Sequence, residues 1–380
     1  MPIKSKKINL LVTSDLVSDQ RVHRTALSLH EMGALVTVYG REKKSSPPID
    51  PVPYTRKRIG VLPEKGPLFY ALFNLKIFFV LLFKPVDIVY ANDLDTLPAA
   101  TLIANIKKAK LVYDSHELYT EVPELASRLW IKKIWTLIEK KLSSHINLCI
   151  TVNQSIADEL KLRYNLQPIV VRNIATANYA TDNSSGYHLR KALLIPDQDH
   201  ILLYQGSGIN IQRGAEEALL MMKYLYNCTL VFIGGGDVFP ILKNMASANN
   251  LNHKVKFLDR LPFSQLQQIT KQADIGLCLT LPIGLNYQLS LPNKLFDYIH
   301  SELPIVASNL PEITRLVNQY RLGIVLENHH PEQMAKAISK LLEQPGQIAT
   351  YKINCNTAAK VLNWENEKKI LCEAVQHLAG

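Results

Sequence analysis

The stretch Ser290-Leu291-Pro292-Asn293-Lys294-Leu295-Phe296-Asp297 holds the residue types needed to grip a phosphate next to a polyol. Proline disrupts a helix interior but suits a helix start, so Pro292 places Asn293 and Lys294 in the first turn of a helix. Unpaired N–H groups, the positive end of the helix dipole and a lysine at one point make an anion site. Asp297, one turn further on, would accept hydrogen bonds from hydroxyls on the same ligand. An ordinary helix cap explains the same residues equally well.

Other clusters repeat this theme. Gln205 to Gly214 (QGSGINIQRG) is a glycine-bearing loop in which Arg213 can form planar, bidentate bonds to phosphate. It has neither the GKS/GKT ending of a Walker loop nor the GxGxxG spacing of a dinucleotide site. Gly234-Gly235-Gly236 could admit a ligand to the backbone or simply form a tight turn. Nearer the N-terminus, YDSHELYTE at 113–121 gathers Asp114, His116, Glu117 and Glu121, and His116 is a candidate active-site residue, although a lone histidine is more often structural. Asp19-Gln20-Arg21 and Asn92-Asp93-Leu94-Asp95 would open on the same face. Asp93 and Asp95 have the DxD form that can hold a divalent metal, but helix capping accounts for it, and no metal is expected.

These loops need strands to hold them. Short apolar runs at 8–13, 35–39, 86–90, 110–113, 146–152 and 169–171 alternate with helical spacing at about 22–33, 96–106, 125–142 and 155–164. A polar stretch between 173 and 200, including 180–186, reads as a domain boundary. A second set follows at 201–204, 230–233, 255–258, 275–279, 305–307 and 323–326. Short buried strands alternating with helices predict two doubly wound, Rossmann-like α/β domains facing each other across a cleft, with ligands at the C-terminal strand ends. The expected limits are 1–173, 174–360 and a returning C-terminal helix at 361–380.

The bulk numbers fit this reading. The 380 residues are 47% hydrophobic and 20% charged, the composition of a globular protein too long for a single core. A formal charge of +10 favours anionic partners without choosing among them. Nucleic acid is not expected, because no recognition motif accompanies the charge. Five dispersed cysteines without a CxxC pair argue against a disulfide scaffold or zinc site and for a reducing cytoplasm. The apolar run at 8–12 is too short for a signal peptide and reads as a first strand. Leu68 to Phe83 is either a buried helix or a surface that dips into a membrane from the cytoplasmic side.

Taken in order, DQRVHR (19–24), YDSHELYTE (113–121), TVNQSIADEL (151–160), VVRN (170–173), LYQG and RG (203–214), FIGGG (232–236), VKFLDRLP (255–262) and LPNKLFDYIHSELPIVAS (291–308) resemble glycosyltransferase family 4, retaining enzymes of the GT-B fold. The resemblance implies transfer of a sugar from a nucleotide diphosphate sugar, a co-substrate and not a cofactor, to a glycan or lipid-linked acceptor in cell-surface polysaccharide or glycolipid assembly. It implies that Arg213 and Lys294 neutralise the diphosphate, that Asp297 grips the ribose, and that Gly206, Gly234, Gly235, Gly236 and Asn293 line the nucleotide. Asp259 and Arg260 would lie by the base, and His116 would face the donor sugar. Asp15, Asp19, Arg21, Asp93 and Glu121 would belong to the acceptor side. The family's first acidic residue is replaced by Leu289, and its second is Asp297 in place of glutamate. A sugar-nucleotide epimerase and a non-catalytic partner subunit of the same fold are the alternative readings.

Overall fold

The computed structural model describes residues 3–17, 19–176 and 187–380, so the polar stretch 180–186 lies outside the described residues. The chain forms two compact units, Met1–Asn173 with Asn366–Gly380, and Ile174–Glu365.

In unit 1, strands β1 (Lys7–Asp15), β2 (Leu35–Glu42), β3 (Thr55–Gly60), β4 (Ile88–Asn92), β5 (Lys110–Ser115), β6 (Leu148–Thr151) and β7 (Ile169–Val170) form one parallel sheet in the order β3-β2-β1-β4-β5-β6-β7. Leu10 sits opposite Val38 on one side and Tyr90 on the other. Helices cover both faces, so β4 is buried throughout and β1 is buried over its middle, Ile8 to Val12. The direction of winding reverses between β1 and β4, and this switch point opens a crevice at their C-terminal ends. The sequence reading has no counterpart to β3. Its residues, TRKRIG, carry the charges expected of an edge strand and no apolar run to reveal it.

One helical expectation needs correction, and a second takes a definite form. The helix expected over 125–142 is two helices, Pro123–Ala126 and Leu129–Leu142, because Arg128 leaves helical geometry at φ −117 and ψ 59. The apolar run 68–83 is a helix, Pro67–Leu82, that buries only Phe69, Phe73, Ile77 and Leu81. Those residues form one stripe at four-residue spacing, while Leu68, Leu75 and Phe79 remain exposed. Among the described residues no helix is long and apolar enough to cross a membrane. The C-terminal helix Trp364–Ala379 brings Glu367 against Arg172, whose backbone N–H and Nε donate to its carboxylate at 2.7 and 2.9 Å.

Unit 2 repeats the plan. Strands β8 (His200–Gly206), β9 (Cys228–Gly234), β10 (Val255–Asp259), β11 (Ile275–Cys278), β12 (Ile305–Ser308) and β13 (Gly323–Leu326) run parallel in the order β10-β9-β8-β11-β12-β13. The pleat divides their side chains between two cores. Ile201, Leu203, Val231, Ile233 and Ile305 fill one face, and Leu202, Tyr204, Leu230, Phe232 and Val306 the other. Here the switch point lies between β8 and β11.

Candidate functional site

At the switch point of unit 2 the chain places the helix Asn293–His300 with Pro292 as its N-cap, as the proline predicts. Tyr298 locks this helix to the sheet. Its buried hydroxyl accepts from the Gln205 N–H at 3.2 Å and lies 3.1 and 3.2 Å from the Leu203 and Leu277 carbonyls, which can take its proton. Gly276 leaves room for the ring, since a Cβ there would come within 2.6 Å of it.

Gln205 is the second anchor. Its amide nitrogen donates to Asp297 Oδ2 at 3.1 Å, and its amide oxygen accepts from the Thr270 hydroxyl at 2.7 Å. The Asp297 carboxylate is therefore oriented before any ligand arrives. Lys294 lies with its Nζ 3.7 Å from the centre of the Tyr204 ring, and the Arg213 guanidinium stacks 4.1 Å over Tyr287. Such cation–π packing holds each charge in place without neutralising it. Among the described residues the buried Arg213 Nε has no hydrogen-bond partner. Burial, reinforced by the positive charge of Arg213, pulls the Lys294 ammonium down to about 8 despite opposing pulls from Cys278 and Asp297. A second anion would relieve that cost.

The glycines shape the turns beside these charges. Gly234 has φ +137, and a Cβ on it would fall 1.8 Å from the Gly206 carbonyl oxygen, so only glycine lets the two turns nest. The Ile209 N–H donates to the Gly235 carbonyl at 2.6 Å and completes the contact. A Cβ on Gly206 would lie 3.8 Å from Lys294 Nζ. Arg260 flanks Gly235, while the neighbouring Asp259 is fully on the surface at the end of β10. Asn293 is exposed in the first turn. Lys294, Asp297, Arg213 and Gly206 thus gather around one switch point, with Asp259 and Arg260 further along the same strand ends.

Sequence reasoning missed Gln205, Tyr204, Tyr287 and Tyr298. Gln205 had a signal, because a buried amide inside the apolar strand HILLYQG needs a partner. The tyrosines looked like ordinary core and did not announce themselves.

In unit 1 the C-terminal ends of β1, β4 and β5 meet in a charged cluster. Arg21 donates to Asp114 through Nε at 3.2 Å and a terminal nitrogen at 2.7 Å, and its other terminal nitrogen donates to the Val171 carbonyl at 2.8 Å. Tyr90 donates its hydroxyl to the same carboxylate at 3.2 Å. His116 is held by two carboxylates: Nδ1 is 3.1 Å from Asp93 and Nε2 is 3.4 Å from Asp114. Its backbone N–H also donates to Asp93 at 2.8 Å. Asp93 sits at φ +64, a backbone geometry that non-glycine residues rarely adopt. Burial disfavours charge on His116, but Asp93 and then Asp114 outweigh it and raise the imidazole to about 10. Burial also opposes the Asp114 carboxylate, yet Arg21 followed by His116 holds it well below the usual carboxylate range. Asp95 goes the other way. Burial, then the nearby Asp93 charge, pushes it up to about 8 even though Thr13 donates to it.

These contacts also show what each acceptor-side candidate already holds. Arg21 is buried and spent on Asp114 and Val171, so it braces the cluster and cannot meet an acceptor directly. Glu121 is committed to Lys132 at 2.6 Å and Arg163 at 3.0 Å. Asp19 caps the helix Gln20–Glu31 through the Val22 N–H and also accepts from Ser14. Asp15 pairs with Arg58 at 3.4 Å. His116 lies between Asp93 and Asp114, whose carboxylates favour its protonated form.

Two parallel α/β units, each with its polar groups at the switch point, define the GT-B architecture of glycosyltransferases. Residues 19–175 match the Glycosyltransferase Family 4 domain, and residues 201–344 match the domain described as Glycosyl transferases group 1. The chain belongs to this glycosyltransferase family. Among solved structures it is similar to sucrose-phosphate synthase from Thermosynechococcus elongatus, with a TM-score of 0.81 and 16% identity over 98% of this chain and 99% of the other. It is likewise similar to HepE of Anabaena in complex with UDP-glucose, with a TM-score of 0.73 and 15% identity over 98% and 99% of the two chains. WaaG, a glycosyltransferase involved in lipopolysaccharide biosynthesis, superposes with a TM-score of 0.73 and 15% identity over 97% and 99%. No curated protein sequence matches the chain.

Proposed function

We propose that the protein transfers a hexosyl or related sugar from a nucleotide diphosphate sugar to a hydroxyl of a glycan or lipid-linked acceptor, with retention at the anomeric carbon, in cell-surface polysaccharide or glycolipid assembly. The observation that carries this reading is the convergence of Arg213, Lys294, the N-terminus of helix 293–300 and the Gln205-held Asp297 at one switch point. The neighbours seen with UDP and UDP-glucose support a uridine nucleotide as the first donor to try.

The donor half of the reaction falls to unit 2. As the bond from the anomeric carbon to the phosphate oxygen breaks, positive charge grows on the sugar and negative charge on the departing diphosphate. Arg213, Lys294 and the helix N-terminus stabilise the second of these charges, which makes a metal unnecessary in this reading. The acceptor oxygen forms the new bond on the face the phosphate leaves, and its proton departs with the phosphate. Asp297 orients the ribose. Unit 1 supplies the acceptor side through Asp93 and Asp95, with His116 as a fixed positive charge. The exposed apolar face of helix 67–82, with Lys65, Lys76 and Lys84 beside it, fits peripheral contact with an anionic membrane on the cytoplasmic side.

A thermal-shift screen of nucleotide sugars with and without magnesium tests the donor, and turnover tests the roles. Arg213→Ala or Lys294→Ala should each lower kcat about 10²–10³-fold, equal to about 2.7–4 kcal/mol of barrier. Unchanged turnover in both variants would refute the assignment. If no nucleotide sugar stabilises the protein, the partner-subunit reading replaces it, with Leu289 in place of an acidic residue as its rationale.

A further inference from the structure

Unit 1 contains a pocket of 690 Å³ that neither switch point uses. Its walls come from helix 67–82, the segment around Tyr119, and helices 123–126 and 129–142, with Tyr70, Tyr119, Trp135, Ile131, Ile134 and Ile138 among its lining residues. The volume falls within the ~300–1,000 Å³ of small-molecule sites. Tyr70 and Tyr119 pack edge-on against Trp135, with ring centres 5.7 and 5.4 Å away.

The polar side chain of Asn74 in this wall is already satisfied, and the charged lining residues are Glu117, Glu124 and Arg128. Asn74 donates to the Tyr70 carbonyl at 2.8 Å and the Asp95 carbonyl at 2.7 Å, and it accepts from the Ala99 N–H at 3.0 Å. A hydrocarbon chain loses nothing against the aromatic and isoleucine side chains, while the charged lining residues Glu124 and Arg128 are exposed. Glu117, which follows His116 in the chain, lines the same pocket, and the Asn74 bond ties the wall to the backbone of Asp95. One end therefore lies beside the Asp93–Asp95–His116 cluster. Among the lining residues, large apolar side chains reach the surface: Trp130 is 63% and Ile134 48% exposed. Exposed Arg128 lines the pocket together with exposed Glu124, and Lys133 and Lys65 lie exposed on the flanking segments, a basic balance that suits an anionic lipid surface.

We propose that this pocket holds the hydrocarbon chain of an amphiphilic acceptor and sets the acceptor's head group at the Asp93–His116 end. The inference rests on the transferase reading and narrows its acceptor to the lipid-linked class. A chain drawn from a bilayer would enter past Trp130 and Ile134, and the pocket would discriminate by chain length.

The probes are alkyl β-D-glucosides below their micellar concentration, titrated calorimetrically into the full chain. Octyl glucoside should bind saturably and methyl glucoside should not, with affinity rising about fourfold for each added methylene until the pocket is full. Ala71 lies exposed on the pocket wall, so Ala71→Phe fills the space without disturbing the core, and Ile134→Asp places a charge in it. Each should weaken octyl glucoside at least tenfold, while Leu162→Ala, on an exposed position outside the pocket, should not. Equal binding of the methyl and octyl compounds, or full affinity in both variants, overturns the proposal. With a labelled nucleotide sugar and a membrane lipid extract, label should enter butanol-extractable product and fall at least tenfold in Ala71→Phe while the UDP-induced thermal shift is unchanged. Label confined to water-soluble glycan also overturns it. Should no nucleotide stabilise the protein, the transferase reading fails by itself, and alkyl glucoside binding still decides whether the pocket takes hydrocarbon.

Discussion

Lys294 offers a quantitative test of the donor site. In the unliganded protein its ammonium titrates at about 8, because burial and Arg213 work against the charge. A bound diphosphate favours the protonated form, so the complex keeps its proton well above that pH, and binding above pH 8 takes up a proton from solution. The affinity for UDP should be nearly flat below pH 7 and then weaken toward one decade per pH unit. Between pH 7 and pH 9 the protonated fraction of free Lys294 falls about tenfold, so Kd rises about tenfold, or about 1.4 kcal/mol. Titration calorimetry in two buffers of different ionisation heat gives both the Kd and the number of protons taken up, which should approach one at pH 9. Lys294→Met should bind UDP more weakly at pH 7 and lose the dependence. A Kd that does not change between pH 7 and pH 9, or a Lys294→Met profile parallel to the wild type, refutes the placement of Lys294 on the diphosphate. Unliganded stability carries the opposite sign. A lysine depressed from 10.5 holds fewer protons folded than unfolded, so stability should rise with pH between about 8 and 10.5, and not in Lys294→Met.

Two further outcomes follow from the frame around the sites. Arg21→Met strands the buried Asp114 carboxylate and should cost about 3–5 kcal/mol, lowering the melting temperature of unit 1 by about 6–20 °C; a shift under ~2 °C would show that Asp114 does not depend on its partner. Gly234→Ala forces a Cβ into the Gly206 carbonyl at φ +137 and should cost about 1–3 kcal/mol and weaken UDP binding, whereas Gly346→Ala, with open space around it, should leave both intact; equal melting curves for the two variants would refute the nesting of the loops.

How much of this was legible beforehand depended on the range of the signal. The strands of both sheets showed as short apolar runs because a parallel sheet buried on both faces demands them, and β3 escaped because an edge strand does not. Pro292 and the turn around Asn293 and Lys294 were readable for the same local reason: proline chemistry acts within one turn. The Asp297 carboxylate was visible as a candidate, but its orientation comes from Gln205, 92 positions away in sequence, and from Thr270 beyond it. His116 shows the limit most clearly. Its place after a strand marked it as a site residue, while its character as a fixed cation depends on Asp93 and on Asp114, which is itself held by Arg21.

By itself, then, the order of residues determined the elements, the two α/β units and the local anion-binding chemistry at the start of helix 293–300, since propensity, periodicity and capping act over a few residues. Only the tertiary structure decided which charges are free and which are spent. It turned Arg21 and Glu121 from candidate contacts into braces, made Asp95 and His116 hold their protons, and opened the pocket beneath Trp135. Burial and the meeting of distant side chains set those properties, and neither is a property of any one stretch of chain.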